Sequence, residues 1–152
     1  MVKIRRAEAF ESEALTNIAA RSEAYWGYDS TFMKNFKRLY RVTEKFIIDN
    51  PTYAIVEGKE IIGFYGILST ETETSLEFLY IEPTFIGKGY GKLLWTHMVS
   101  ICRCHGIKEI ALVTSPQAKE FYSKMGAKYI GDVDSIVAEN KKVPKFIYKI
   151  EK

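Results

Sequence analysis

The sequence predicts an α/β fold of the α+β kind: a mixed sheet with helices packed on it. Three observations carry this. Apolar runs of strand length alternate with stretches of helical periodicity in the order β-α-α-β-β-β-α-β-α-β-β. The strands between Pro51 and Ile81 succeed one another with no helix between them, as in an antiparallel meander. One strand–helix–strand passage, Ser75 to Thr114, is short enough to make its two strands parallel neighbours. With one clear crossover, the chain does not read as a regular doubly wound sheet.

Val2 to Arg6 alternates apolar and polar residues, as a half-buried strand does. Ala9 to Ala24 reads as a helix with Phe10, Ala14, Leu15, Ile18 and Ala19 on one stripe. Gly27 breaks the pattern, and Asp29, Ser30 or Thr31 can cap the second helix. That helix is expected over Phe32 to Ile48, with Phe32, Phe36, Leu39, Tyr40, Thr43 and Ile47 inward, and Asn50-Pro51 ends it. Thr52–Val56 and Ile61–Ser69 form a hairpin around Glu57-Gly58-Lys59-Glu60. Ser75–Ile81 is the central strand, closed by Pro83. A helix runs from Gly91 to about Cys104, where Gly106 stops it. Ile107–Thr114 is a strand, Pro116–Met125 a short helix, and Ala127–Val133 and Val143–Ile150 are the last strands.

At 152 residues the chain reads as one domain, residues 1–152, and its 47% hydrophobic and 27% charged residues are those of a globular protein. No apolar run reaches membrane-spanning length, and MVKIRRAEAF has no apolar signal core, so a cytoplasmic protein without a membrane partner is expected. The net charge of +3 is mixed along the chain with no basic stripe, which argues against a nucleic-acid partner. Cys102-Arg103-Cys104-His105 is too compact for a structural zinc site and has no second cluster, so no metal is expected. A homodimer is left open, because the last strands have no sequence feature that decides their partners.

The chemistry concentrates between Ser75 and Met98. Gly87, Gly89 and Gly91 stand at every second position where a strand gives way to a helix. Glycines there leave backbone N–H groups bare, beside the positive end of a helix dipole. An anion site of the kind that binds phosphates is one reading; a tight turn that brings helix and strand together is the other. The spacing fits neither the G-x-G-x-x-G dinucleotide fingerprint nor a Walker A loop.

Two stretches carry a family resemblance. In Leu79–Trp95, LYIEPTFIGKGYGKLLW, Gly89 and Gly91 match the glycines of a motif in the GCN5-related N-acetyltransferases. Ser115–Ala127, SPQAKEFYSKMGA, is similar to that family's later segment through Ala118, Phe121-Tyr122 and Gly126. The order of elements resembles the same family over almost the whole chain. The resemblance implies a GNAT-like acyl-CoA N-acyltransferase fold. It also implies acetyl-CoA as co-substrate, with transfer to a primary amine of a small molecule or peptide by direct attack in a ternary complex. Two positions depart from the motifs: Ile86 stands where arginine or glutamine is usual, and Ser115 where asparagine is common. A CoA-binding module without transfer activity, or a non-enzymatic binding or structural domain, are the alternative readings.

On this resemblance, main chain and side chains of Gly87, Lys88, Gly89, Tyr90, Gly91 and Lys92 hold the pyrophosphate, and Ser115 assists. The backbone of Leu79, Tyr80 and Ile81 holds the pantetheine arm, with a bulge expected near Tyr80. Tyr122 is the expected proton donor to the leaving thiolate. Glu77, a carboxylate inside the central strand, is the expected base; its position two before Leu79 and four before Ile81 puts it on their face. Trp26 and Tyr28 are expected to wall the acceptor pocket, and Asp29 to pair with a cationic amine. Tyr40 and Tyr65 are further candidates to face it.

Overall fold

The computed structural model describes residues 1–151. Its sheet has seven strands in the order β1-β2-β3-β4-β5-β7-β6. They are β1 (Val2–Arg6), β2 (Thr52–Glu57), β3 (Glu60–Ser69), β4 (Thr74–Ile81), β5 (Glu109–Val113), β6 (Lys128–Asp134) and β7 (Lys142–Lys149). Every neighbouring pair is antiparallel except β4 and β5, which are parallel as the short crossover predicts. The chain returns β7 to lie between β5 and β6, so β6 is the edge.

Helices α1 (Ser12–Ala24), α2 (Ser30–Leu39) and α3 (Glu44–Asp49) cover one face of the sheet, and α4 (Tyr90–Cys104) and α5 (Lys119–Lys124) the other. Each face has its own core. Leu15, Ile18, Phe36, Ile47, Phe64 and Phe78 fill the first, and Tyr65, Leu94, Trp95, Met98, Ile110 and Phe146 the second. Both are continuous apolar clusters, so burial on two faces holds the sheet between its helices.

The helix expected over Phe32 to Ile48 is two helices. The Thr43 hydroxyl accepts from Phe46 N at 3.0 Å and starts α3 afresh. Thr16 of α1 pins the break: its Oγ1 accepts from Val42 N at 2.9 Å. Val42 is buried there, so the apolar period runs on through a segment that is not helical. Phe10, expected on the inner stripe, is 79% exposed, because Ala9–Glu11 is a tight 3-10 turn that sets it out of phase with α1. Leu39 is likewise exposed. The helix expected after Gly91 begins at Tyr90, so Gly91 lies within its first turn.

The expected bulge lies at Glu77 rather than Tyr80. Gly66 pairs with Phe78 and Ile67 with Leu76, leaving Glu77 as the extra residue. One inserted residue reverses the facing of the rest of the strand. Leu76, Leu79 and Ile81 join the α4 side, while Phe78 and Tyr80 join the α1–α3 side.

Candidate active site

β4 and β5 share one bridge, Ser75 opposite Ala111. Beyond it the β4 edge that faces β5 has no strand beside it, and a cavity of about 1050 Å³ opens there. The cavity runs from the glycine turn to the β6–β7 connection and passes under α1 and α2.

Its first end is the turn after β4. Gly87 and Gly89 have φ of 84° and 89°, in the left-handed region where a side chain costs about 1–2 kcal/mol. Gly89 is the N-cap of α4. Among the described residues, no hydrogen-bond acceptor meets the N–H groups from Gly87 to Lys92. Bare N–H groups at the start of a fifteen-residue helix suit a diphosphate. A Cβ at Gly91 would lie 3.3 Å from the Phe121 ring, so this glycine lets α5 close against α4.

The other expected members of the turn divide. Lys92 lines the cavity. Lys88 is turned aside, its ammonium 5.6 Å from the Phe85 ring centroid. Tyr90 and Ile86 pack on the core, Tyr90 edge-on to Phe85, so Tyr90 offers the cradle only its N–H. Leu79, Tyr80 and Ile81 all border the cavity beside the open strand edge.

Tyr122 is buried at the middle of the cleft, with Phe121, Trp95 and Phe146 around its ring. Burial pushes its phenol pKa well up, against the opposing Thr114 hydroxyl, so it keeps its proton throughout the neutral range. Ser115, at the end of β5, donates from Oγ to Glu23 Oε2 at 2.8 Å.

Glu23 also lines the cavity, and the sequence reading missed it. It sits in the last turn of α1 and is 7% exposed. The signal was present: Leu15, Ala19 and Glu23 are four apart, so α1 carries a carboxylate on its buried stripe. Burial pushes its pKa up, and the Ser115 hydrogen bond partly offsets this.

Glu77 does not share the face of Leu79 and Ile81, because it is the bulge residue. It raises the pKa of Tyr40 and Tyr80, which pack on the α1–α3 side. It lines the cavity half-buried, with burial raising its pKa and the Ser75 hydroxyl opposing that shift. Trp26, Tyr28 and Tyr40 wall the same end. Asp29 does not: its carboxylate accepts from Phe32 N at 2.8 Å and caps α2. Tyr65 lies in the α4-side core, its hydroxyl 2.7 Å from His97 Nδ1, away from the cavity. The Tyr28 hydroxyl donates to Gln117 Oε1 at 3.0 Å and roofs the cleft.

This cleft, with a phosphate cradle at one end and a tyrosine-lined, acidic chamber at the other, can hold two substrates end to end. The sequence profile described as "Acetyltransferase (GNAT) family" matches residues 14–127. The peptidyl-lysine N-acetyltransferase YjaB of Salmonella typhimurium is 31% identical over 143 residues, covering 90% of this chain and 91% of that protein. The chain belongs to the GNAT family of acetyltransferases. It is an acetyl-CoA-dependent N-acetyltransferase, and acetyl-CoA is its co-substrate.

Solved structures bear out the fold. The PaiA N-acetyltransferase of Thermoplasma acidophilum, crystallised in complex with coenzyme A, superposes with a TM-score of 0.81 at 21% identity, covering 98% of this chain and 99% of that one. The ribosomal-protein-S18-alanine N-acetyltransferase of Escherichia coli superposes at 0.72 with 16% identity, covering 100% and 96%. Among the described residues no helix is long and apolar enough to cross a membrane, and no three His, Cys, Asp or Glu side chains are grouped to hold a metal ion.

Proposed function

We propose that the enzyme acetylates a primary amine, that of a lysine side chain, by direct attack within a ternary complex. The observation that carries this is the cleft itself. One opening between β4 and β5 joins the bare N–H turn to a chamber walled by Trp26, Tyr28 and Tyr40 and made acidic by Glu23 and Glu77. An aliphatic ammonium on a flexible stem suits aromatic walls with carboxylates at the base. The name of the Salmonella relative supports the same acceptor class.

In this reading the N–H groups of Gly87 to Lys92, with the Lys92 ammonium, bind the pyrophosphate. The free β4 edge from Leu79 to Ile81 orients the pantetheine arm by main-chain hydrogen bonds. Bound acetyl-CoA supplies the activated acetyl thioester. A β4 N–H beside the bulge polarises the thioester carbonyl, as an oxyanion donor does. Tyr122 holds its proton and gives it to the departing sulfur. Holding both substrates in one cleft contributes several kcal/mol in itself.

The test is a thiol-release assay with a lysine-containing peptide, the same peptide with its lysine acetylated, and free alkyl amines. Turnover of the unmodified peptide alone supports a peptidyl-lysine acceptor. Preference for free amines would replace it with a small-molecule acceptor. No turnover of any amine would sink the proposed reaction.

A further inference from the structure

The chamber holds two carboxylates, Glu23 buried and Glu77 half-buried, and they are not equivalent. Glu77 occupies the β4 bulge, and its charge reaches Tyr40 and Tyr80. Glu23 lines the same cavity as Tyr40, Tyr80 and Tyr122. Glu23 is further tied by Ser115 to the end of β5, next to the Thr114 hydroxyl that Tyr122 senses. Of the two, Glu23 is the one joined by a hydrogen bond to the end of β5, where the chain leads into α5 and Tyr122.

Its two oxygens also differ. Oε2 accepts the Ser115 hydroxyl at 2.8 Å. Oε1 takes no hydrogen bond from any described residue, and no side-chain oxygen of the described residues is both sealed off and unpartnered. Oε1 therefore opens onto the cavity that Glu23 lines. A carboxylate that is nine-tenths buried, held by one oxygen and bare at the other, is built to receive a donor.

We infer that Glu23, rather than Glu77, is the catalytic base: its Oε1 holds the acceptor's ammonium and takes one proton from it. This rests on the amine-acetylating reaction proposed above. Glu23 accepts a proton and leaves a neutral amine. The amine's lone pair forms the C–N bond as the C–S bond breaks, and Tyr122 protonates the sulfur. The second proton of the new amide nitrogen returns to the Tyr122 phenolate, and Glu23 releases its proton to water. The sum is ammonium plus thioester giving amide, thiol and one proton.

The Ser115 hydroxyl bonds Glu23, whose charge raises the pKa of the phenols of Tyr40 at the end of α2, Tyr80 on β4 and Tyr122 on α5. Among the described residues Glu23 forms no ion pair, which leaves the place for the substrate's own charge. Its elevated pKa also makes it a stronger base than a surface carboxylate.

The test compares wild type, Glu23→Gln, Glu23→Asp and Glu77→Gln in two measurements. In the first, kcat for the lysine peptide is followed from neutral to alkaline pH. Glu23→Gln should lose about a hundredfold at neutral pH. The deficit should close toward the amine's own pKa of about 10.4, where no base is needed. Glu23→Asp should recover part of the loss, and Glu77→Gln should raise KM while keeping the wild-type shape of the pH profile. In the second, calorimetry monitors butylammonium binding at neutral pH, which Glu23→Gln should weaken at least about tenfold.

A Glu23→Gln enzyme with near-normal kcat, or a deficit that is flat with pH, overturns the inference. So does butylammonium that fails to bind wild type or binds the variant equally well. If no amine is acetylated but butylammonium binding still requires Glu23, the proposed reaction falls and Glu23 stands as an ammonium site without a catalytic role. A Gln can still accept from Ser115, and a melting temperature no lower than wild type separates loss of function from misfolding.

Discussion

The Tyr28 hydroxyl and Gln117 Oε1 meet at 3.0 Å across the mouth of the cleft, joining the α1–α2 connection to the turn before α5. Both residues are exposed or half-buried, so the bond contributes no more than about 1 kcal/mol to stability. Its removal in Tyr28→Phe should leave the melting temperature almost unchanged. KM for the acceptor should rise several-fold while KM for acetyl-CoA stays level. Equal changes in both constants would show that this contact does not shape the acceptor end.

Gly89→Ala separates backbone strain from steric exclusion. No atom lies within 4 Å of the added Cβ, so the methyl has room. The φ of 89° is what it cannot easily adopt, at a cost of about 1–2 kcal/mol. Relief by rotating the turn would re-aim the N–H groups. KM for acetyl-CoA should rise about tenfold, equivalent to about 1.4 kcal/mol, with the acceptor KM little changed. Wild-type kinetics in this variant would remove the turn from the cofactor site.

Tyr122→Phe should lower kcat by about 10²–10⁴ with small effects on either KM. It should also alter stability in alkali. Burial raises the folded-state pKa above the ordinary value of 10.0, so the buried phenol favours folding below that pH. The contribution is lost as pH rises through the elevated pKa. Wild type should therefore lose stability faster above about pH 10 than Tyr122→Phe. Tyr65 and Tyr80 are shifted the same way, so the variant's curve is flattened rather than level. Parallel alkaline curves would contradict the burial of this phenol.

Glu23→Gln should be more stable than wild type at neutral pH. The Glu23 pKa is raised in the fold, so the protonated carboxyl is well tolerated below its ordinary value of 4.5. As pH climbs through the raised pKa, charging the buried group destabilises the fold. The variant's advantage should shrink on acidification and vanish near pH 4.5. An advantage independent of pH would have another origin.

Much of the site was legible because its determinants are local. Three glycines before a helix, an aromatic-tyrosine pair and a closing glycine are read from adjacent residues, and a short crossover is enough to make two strands parallel. What escaped depends on partners distant in sequence. The bulge at Glu77 exists only in its pairing with β3, so strict alternation assigned that side chain to the wrong face. Asp29 can cap a helix or meet a substrate, and the N–H of Phe32 decides between them. Glu23 sat at helical spacing from Leu15 and Ala19, but its place in the cleft shows only when Ser115, 92 residues later, comes against it. The break between α2 and α3 likewise depends on Thr16, 26 residues away from Val42.

That break gives a stability test outside the chamber. Thr16 Oγ1 accepts from Val42 N at 2.9 Å and donates to Ser12 O at 2.9 Å. Thr16→Val keeps the shape but leaves a buried N–H unmet, at a cost of about 1–3 kcal/mol. The loss should appear as a lower denaturant midpoint. Because Val42 lies close after Tyr40, acceptor KM should rise as well.

The lone bridge between Ser75 and Ala111 leaves a seam in the sheet. Four strands lie on one side of it and three on the other, each group laced by its own ladder. At the seam, helix packing takes over from backbone pairing. A bound pantetheine chain would act there as a surrogate strand, adding the rungs that the protein omits. Amide exchange along β4 and β5 should accordingly slow when coenzyme A binds, while the outer hairpins hardly respond. In mechanical terms, the enzyme leaves a gap in its own weave that its co-substrate would darn.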